Sequence, residues 1–314
     1  MRKKSIYFIL LIILNSVSYS HAQKLNDSSK VSLFTPSNSL NKKRLNAIII
    51  GESAVYAIGN VGLYNLWYKG YNTGKFHFFD DNKEWLYMDK LGHSTISYYL
   101  GMQGYQWMRW SGLNENKSLF YGGGLGFLFL STIEIMDGFS EGWGFSYGDI
   151  IANGLGTSSF ILQQKYLHQQ VFKLKNSYHE TEFSNIRPNL LGGSLPQRML
   201  KDYNGQTYWL SANLNYLSGN DKIPNWLCAS VGYSINGFVG ATDNVFTSRG
   251  VVYDYSNIKR YNQFFLSLDV DLSKINTKYK WANSIIHTFG LFKIPFPALE
   301  FNKVDKLKGH IFYF

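Results

Sequence analysis

Residues 260–272 read RYNQFFLSLDVDL. Phe264, Leu266, Leu268, Val270 and Leu272 fall on one side of an extended chain, and Gln263, Ser267, Asp269 and Asp271 on the other. Period-two alternation is the mark of a strand with two unlike faces. The same rhythm runs through Gln206–Leu217, where Tyr208, Leu210, Ala212, Leu214 and Tyr216 oppose Thr207, Ser211, Asn213 and Asn215. A third stripe is Leu227, Ala229, Val231, Tyr233 and Ile235. Gly219-Asn220-Asp221 and Gly237–Gly240 supply the turns between them. From about Tyr203 to the C-terminus the chain therefore reads as an antiparallel β region.

Toward the N-terminus the period changes. Between Asn46 and Gln170 glycine, serine and alanine interleave with larger apolar residues at helical spacing. This pattern predicts helices at about 45–68, 88–110, 117–137 and 147–170. Gly122-x-x-x-Gly126 and Gly154-x-x-x-Ser158 place small residues four apart, which lets helix backbones approach closely. The expected fold is α+β: an N-terminal four-helix bundle, residues 45–180, followed by an antiparallel β region, residues 181–314, forming a sheet or a small outer-membrane-type barrel.

The first residues set the compartment. Arg2, Lys3 and Lys4 precede an apolar run from Ile6 to Leu14 and a polar stretch ending Ser20-His21-Ala22. These are the three regions of a signal peptide in order, predicting cleavage after residue 22 and a mature start at Gln23. Residues 23–44 are polar and read as a flexible lead-in. The single cysteine, Cys228, lies far from the cleavage site, so neither a lipid-attachment cysteine nor an internal disulfide is expected.

Composition fits an envelope protein. Lys and Arg number 31 against 21 Asp and Glu, giving +10; removing the three charges of the signal leaves +7. That surplus suits an anionic lipid or outer-membrane surface. Export and the lack of a dense basic face exclude nucleic acid as the partner; an envelope protein partner is compatible with the same surface. Aromatic residues make up 17% of the chain, as is common at membrane interfaces. The terminal His310-Ile311-Phe312-Tyr313-Phe314 resembles the closing strand of bacterial outer-membrane barrels.

A polar cluster lies among the helices. Asp89 and His93 are four apart and share a helical face, with Lys90 beside them and Ser97 one turn on. Glu134 and Asp137 are three apart. Ser146 is placed to cap the fourth helix, which carries Asp149 and Asn153, and Glu52 lies on the first. His77 sits in a phenylalanine-rich loop read as an aromatic plug. Charges at these positions argue against clean membrane spans.

Asp89-Lys90-x-x-His93, Glu134-x-x-Asp137 and Asp149-x-x-x-Asn153-x-x-Gly156 together resemble the YfiM-like family of predicted periplasmic proteins, a domain of unknown function. A looser similarity runs to the VanZ-like membrane family. Longer envelope members of the YfiM-like group are also similar through residues 201–209, KDYNGQTYW, and through Pro295-x-Pro297-x-Leu299-Glu300. The resemblance implies an envelope location and carries no established reaction. Some members are lipoproteins, whereas this chain lacks the cysteine for it.

Three readings of the cluster stay open. Buried Asp, Glu and Asn require partners, and a mutual network would fix helix register. His93, oriented by Asp89 and assisted by Glu134 or Asp137, has the composition of an acid–base site. Asp89, His93, Glu134 and Asp137 are also a ligand set for a divalent metal of intermediate hardness. No phosphate loop or dinucleotide fingerprint is present. The expected function is structural or in assembly at the outer membrane or the periplasmic face of the envelope. The alternative is an envelope enzyme, a hydrolase or transferase on lipid or cell-wall glycan.

Overall fold

A computed structural model describes residues 35–68 and 72–314. The expected signal peptide and residues 23–34 of the lead-in lie outside the described residues. The fold is α+β and divides into two compact units. A helical unit holds the described residues up to Phe79, with Ile96–Gln169 and Leu272–Gly290. A sheet unit holds Asp80–Thr95, Gln170–Asp271 and Leu291–Phe314.

The long helices are α1 (Lys42–Leu63), α2 (Met88–Trp110), α3 (Leu125–Gly138) and α4 (Tyr147–Leu167). They match four expected segments, with one difference. The third does not run continuously from 117: a wide turn, Ser118–Gly122, precedes α3. The three glycines Gly122, Gly123 and Gly124 explain the break, since each lowers helix propensity. α2 passes so close to this turn that a Cβ on Gly122 would stand 2.4 Å from the Gly104 backbone. Tyr56 of α1 donates to Thr132 of α3 at 2.7 Å. Ser97 of α2 bonds the Asn153 carbonyl at 2.7 Å and Thr157 Oγ1 at 2.6 Å, both on α4. A further helix, α5 (Lys280–Thr288), belongs to this unit although it lies in the expected β region.

The sheet unit has β1 (Phe172–Tyr178), β2 (Gln206–Asn213), β3 (Leu227–Asn236), β6 (Tyr261–Val270), β7 (Phe296–Asn302) and β8 (Lys306–Tyr313) in one antiparallel sheet, in that spatial order. β4 (Val245–Ser248) and β5 (Val251–Asp254) form a separate hairpin, whose Arg249-Gly250 turn has both residues at positive φ. β2 stops earlier than its alternation suggests. Asn213 turns its side chain to cap the short helix Leu214–Ser218, accepting from Tyr216 N at 2.9 Å. A capping side chain outcompetes two more ladder positions.

The sheet is rolled but not closed. Lys175 on β1 meets Asp269 on β6 at 2.6 Å, three strands away. Strands lie about 4.8 Å apart, so a flat sheet would separate these backbones by about 14 Å, more than the two side chains span. Thr207 of β2 likewise reaches the Tyr313 hydroxyl of β8 at 3.2 Å. Yet β1 and β8 are both edges: the barrel alternative is not realised among the described residues.

Polarity across this sheet is inverted relative to a soluble protein. Leu210, Val231, Leu266 and Leu299 stand in register across four strands and are 43%, 54%, 49% and 45% exposed. The neighbouring rung on the opposite face is Ser211, Ser230 and Ser267, exposed by only 1%, 1% and 6%. Around these serines the concave face buries Lys173, Lys175, Asp269 and Glu300 with the rings of Trp209, Phe265 and Tyr313. Alternation thus set the strands correctly, and it is the polar side that is enclosed.

Candidate functional site

The start of α2 rests on an apolar base within the sheet unit, where Trp85, Met88, Phe183, Leu191, Ile235, Phe238 and Val239 form a buried cluster. That anchor fixes the next turn. Asp89 Oδ1 accepts from the Tyr203 hydroxyl at 2.6 Å, and Asp89 Oδ2 lies 3.3 Å from Lys90 Nζ. Lys90 also pairs with Asp81 at 2.7 Å. His93 Nε2 stands 3.9 Å from Asp89 Oδ1, one helical turn on. That distance is an ion-pair separation, longer than the roughly 2.6–3.2 Å of an orienting hydrogen bond. Gly92 keeps the helix against the sheet: a Cβ there would lie 2.9 Å from the Tyr208 hydroxyl.

Burial pushes the Asp89 carboxyl upward, but the charges of His93 and Lys90 and the bonds from Tyr203 and Lys90 outweigh it, holding the group below the usual carboxylate range. A carboxyl depressed in the folded state stabilises the fold above its unfolded pKa and loses that contribution as pH falls through the folded value. Asp89→Asn is therefore expected to lower stability by about 2 kcal/mol at pH 7. The gap from wild type should shrink as pH falls from 7 through and below the usual carboxylate range, as read by urea unfolding across that series.

Glu134 and Asp137 belong to the helical unit and have partners there. Glu134, 1% exposed, accepts the Ser146 backbone N–H at 3.3 Å. Asp137 accepts from the Tyr68 hydroxyl at 2.5 Å. Burial, followed by the charge and hydrogen bond of Asp137 and the charge of Glu134, drives the Tyr68 phenol far up, so it stays protonated and can donate to Asp137. Ser146 caps α4 as expected, accepting from Asp149 N at 3.2 Å. Asp149 and Asn153 are buried on α4, and Glu52 is half-buried within α1. The four acid–base candidates thus divide two and two between the units. Within each unit the carboxylates already hold hydrogen bonds that fix helix ends.

The aromatic loop differs from a plug. Phe76, Phe78 and Phe139 remain 40%, 56% and 44% exposed while packing edge-to-face among themselves. His77 is tied to the Trp143 carbonyl at 2.6 Å.

Sequence reasoning missed the tyrosine partners Tyr68 and Tyr203, and it missed the buried lysines. Lys173 meets Asp271 and Lys175 meets Asp269, each at 2.6 Å. Glu300 accepts from His310 at 2.7 Å and from Gln263 at 2.5 Å. A signal existed: Asp269 and Asp271 fall on the polar side of their strand, and the strings around Tyr203 and Glu300 had stood out.

An α+β chain with an inside-out sheet and carboxylate-tethered helix ends is the class that these features define. Residues 77–165 match the sequence profile of a family described as predicted periplasmic lipoprotein (DUF2279), less than a third of the chain. No curated protein and no solved structure matches. The match supports an exported protein of the cell envelope with a domain of unknown function. The chain's sole cysteine, Cys228, is buried in β3.

Proposed function

We propose that this is an outer-membrane-associated envelope protein whose rolled sheet seats its apolar face in lipid, with a structural or assembly role. The observation that carries it is the inverted register: an exposed Leu210–Val231–Leu266–Leu299 ladder opposite a buried serine rung. In water an exposed apolar ladder forfeits roughly 25 cal/mol per Å². In a bilayer it is the requirement, with polar groups turned inward. Kinship with YfiM-like and VanZ-like proteins, read from Asp89, His93, Glu134 and Asp149, belongs to the same proposal.

Nitroxide labels on single cysteines test it, placed at Val231, Leu266 and Leu299 in a Cys228→Ser background. After reconstitution into vesicles, all three are expected to collide with oxygen more than with a water-soluble nickel chelate. A label at exposed Lys303 should show the opposite. Aqueous collision profiles at all four positions, with protein monodisperse in detergent-free buffer, would remove the lipid reading.

A further inference from the structure

α4 carries the same inversion in helical form. Its buried positions are Asp149, Ala152, Asn153, Gly156, Thr157, Phe160 and Gln163. Its exposed line is Tyr147, Ile151, Leu155, Leu162 and Tyr166, between 52% and 67% exposed. Spacings of four, four, seven and four hold these side chains on one face of a helix. In a water-soluble domain the exposed line would face inward and Asp149, Asn153 and Gln163 outward.

The ends of the line give a length. Tyr147 and Tyr166 are nineteen residues apart, which at 1.5 Å per residue is about 28 Å. The hydrocarbon core of a bilayer is about 30 Å thick, and tyrosine concentrates at its two interfaces. Between the tyrosines the other exposed side chains are Ser158 and Lys165. A serine hydroxyl can bond its own helix backbone, and a lysine within a residue of the boundary can snorkel to the headgroups. Beside Tyr147 the exposed rings of Phe76, Phe78 and Phe139 extend the aromatic collar, with Phe78 stacked on Tyr147 at 4.8 Å.

The inner side of the helix is built for the same setting. Ser97 of α2 bonds α4 through the Asn153 carbonyl and Thr157. Gly126 of α3 lies against the Ser97 carbonyl, where a Cβ would stand only 2.1 Å away. Small residues at helix contacts and hydroxyls bridging helices are how helices associate in lipid, where no hydrophobic drive acts between them.

We infer that α4 crosses a bilayer, with its Tyr147–Tyr166 face against acyl chains and the Phe76–Phe78–Phe139 collar at one headgroup boundary. The inference rests on the lipid reading of the sheet and extends it to the helical unit, whose charges argue against clean membrane spans in the sequence.

The test uses the full chain in phospholipid vesicles, with nitroxide labels at Tyr147, Ile151, Leu155, Leu162 and Tyr166 in the Cys228→Ser background. Depth, from the ratio of oxygen to nickel-chelate collisions, should peak at Leu155 and fall toward both tyrosines. A second variant, Leu155→Arg, should reduce vesicle-inserted protein at least tenfold, whereas Ser158→Ala should leave it unchanged. Aqueous profiles along the line, with Leu155→Arg inserting like wild type, overturn the inference. If the sheet labels still report lipid in that sample, the reading of the sheet survives. If they too report water, both fall together.

Discussion

Replacing Lys175 by methionine is expected to destabilise the sheet unit by about 3–5 kcal/mol. Lys175 and Asp269 are both 0% exposed and meet at 2.6 Å. Lys175 also donates to the Val270 carbonyl at 2.8 Å, and Asp269 accepts from Ser211 at 2.6 Å. Removing the ammonium leaves an enclosed carboxylate with one hydroxyl donor and only the field of Lys293 to offset its charge, and a poorly compensated buried charge is far more costly than the intact pair is stabilising. Lys175→Met with Asp269→Asn removes both charges at similar volume and should recover much of the loss, because the pair's desolvation penalty disappears too. Denaturant unfolding in detergent, followed by tryptophan fluorescence, measures all three proteins. A single variant within 1 kcal/mol of wild type would mean that the concave face is open to water. Should Lys175→Met fail to fold, the double variant still decides the matter: folding restored by adding a second mutation is the signature of the pair.

The strands were legible because alternation is local: 206–213, 227–236 and 261–270 each announce two unlike faces. Which face turns inward is not local. Ser211, Ser230 and Ser267 are enclosed only because the sheet rolls until β1 meets β6, and the partners in that closure, Lys175 and Asp269, stand 94 positions apart in sequence. Residues 172–178, FKLKNSY, alternate as clearly as the other stripes, but two lysines on a strand suggest a solvent edge. Here they are the buried side. The polar cluster divides similarly. Spacing placed Asp89 with His93 and foresaw the Ser146 cap, both events within one turn of helix. The tyrosines Tyr68 and Tyr203, which complete the carboxylates' hydrogen bonding, come from far along the chain. α5 escaped notice because residues 280–288 lie between strands of the other unit.

Gly122→Ala and Gly154→Ala should part company, although both glycines open a small-x-x-x-small motif. At Gly122 a Cβ would meet the carbonyl carbon and oxygen of Gly104 at 2.4 Å and the backbone nitrogen of Tyr105 at 2.5 Å. None of these atoms is the movable end of a side chain, so α2 must be driven away from the turn before α3. The expected loss is about 3 kcal/mol, the upper part of the range for overpacking. At Gly154 the nearest atom is the Phe127 ring at 3.9 Å, an ordinary contact. Alanine fits there unstrained and removes the entropic disadvantage of glycine within a helix, so a gain of about 0.5–1 kcal/mol is expected. Thermal unfolding monitored at 222 nm separates a loss from a gain without ambiguity of sign. Equal stability of the two variants would show that α2 does not approach Gly122 backbone to backbone. With that contact gone, Gly101 against the Gly123 carbonyl and Gly126 against the Ser97 carbonyl would remain as tight glycine contacts of α2 with this segment.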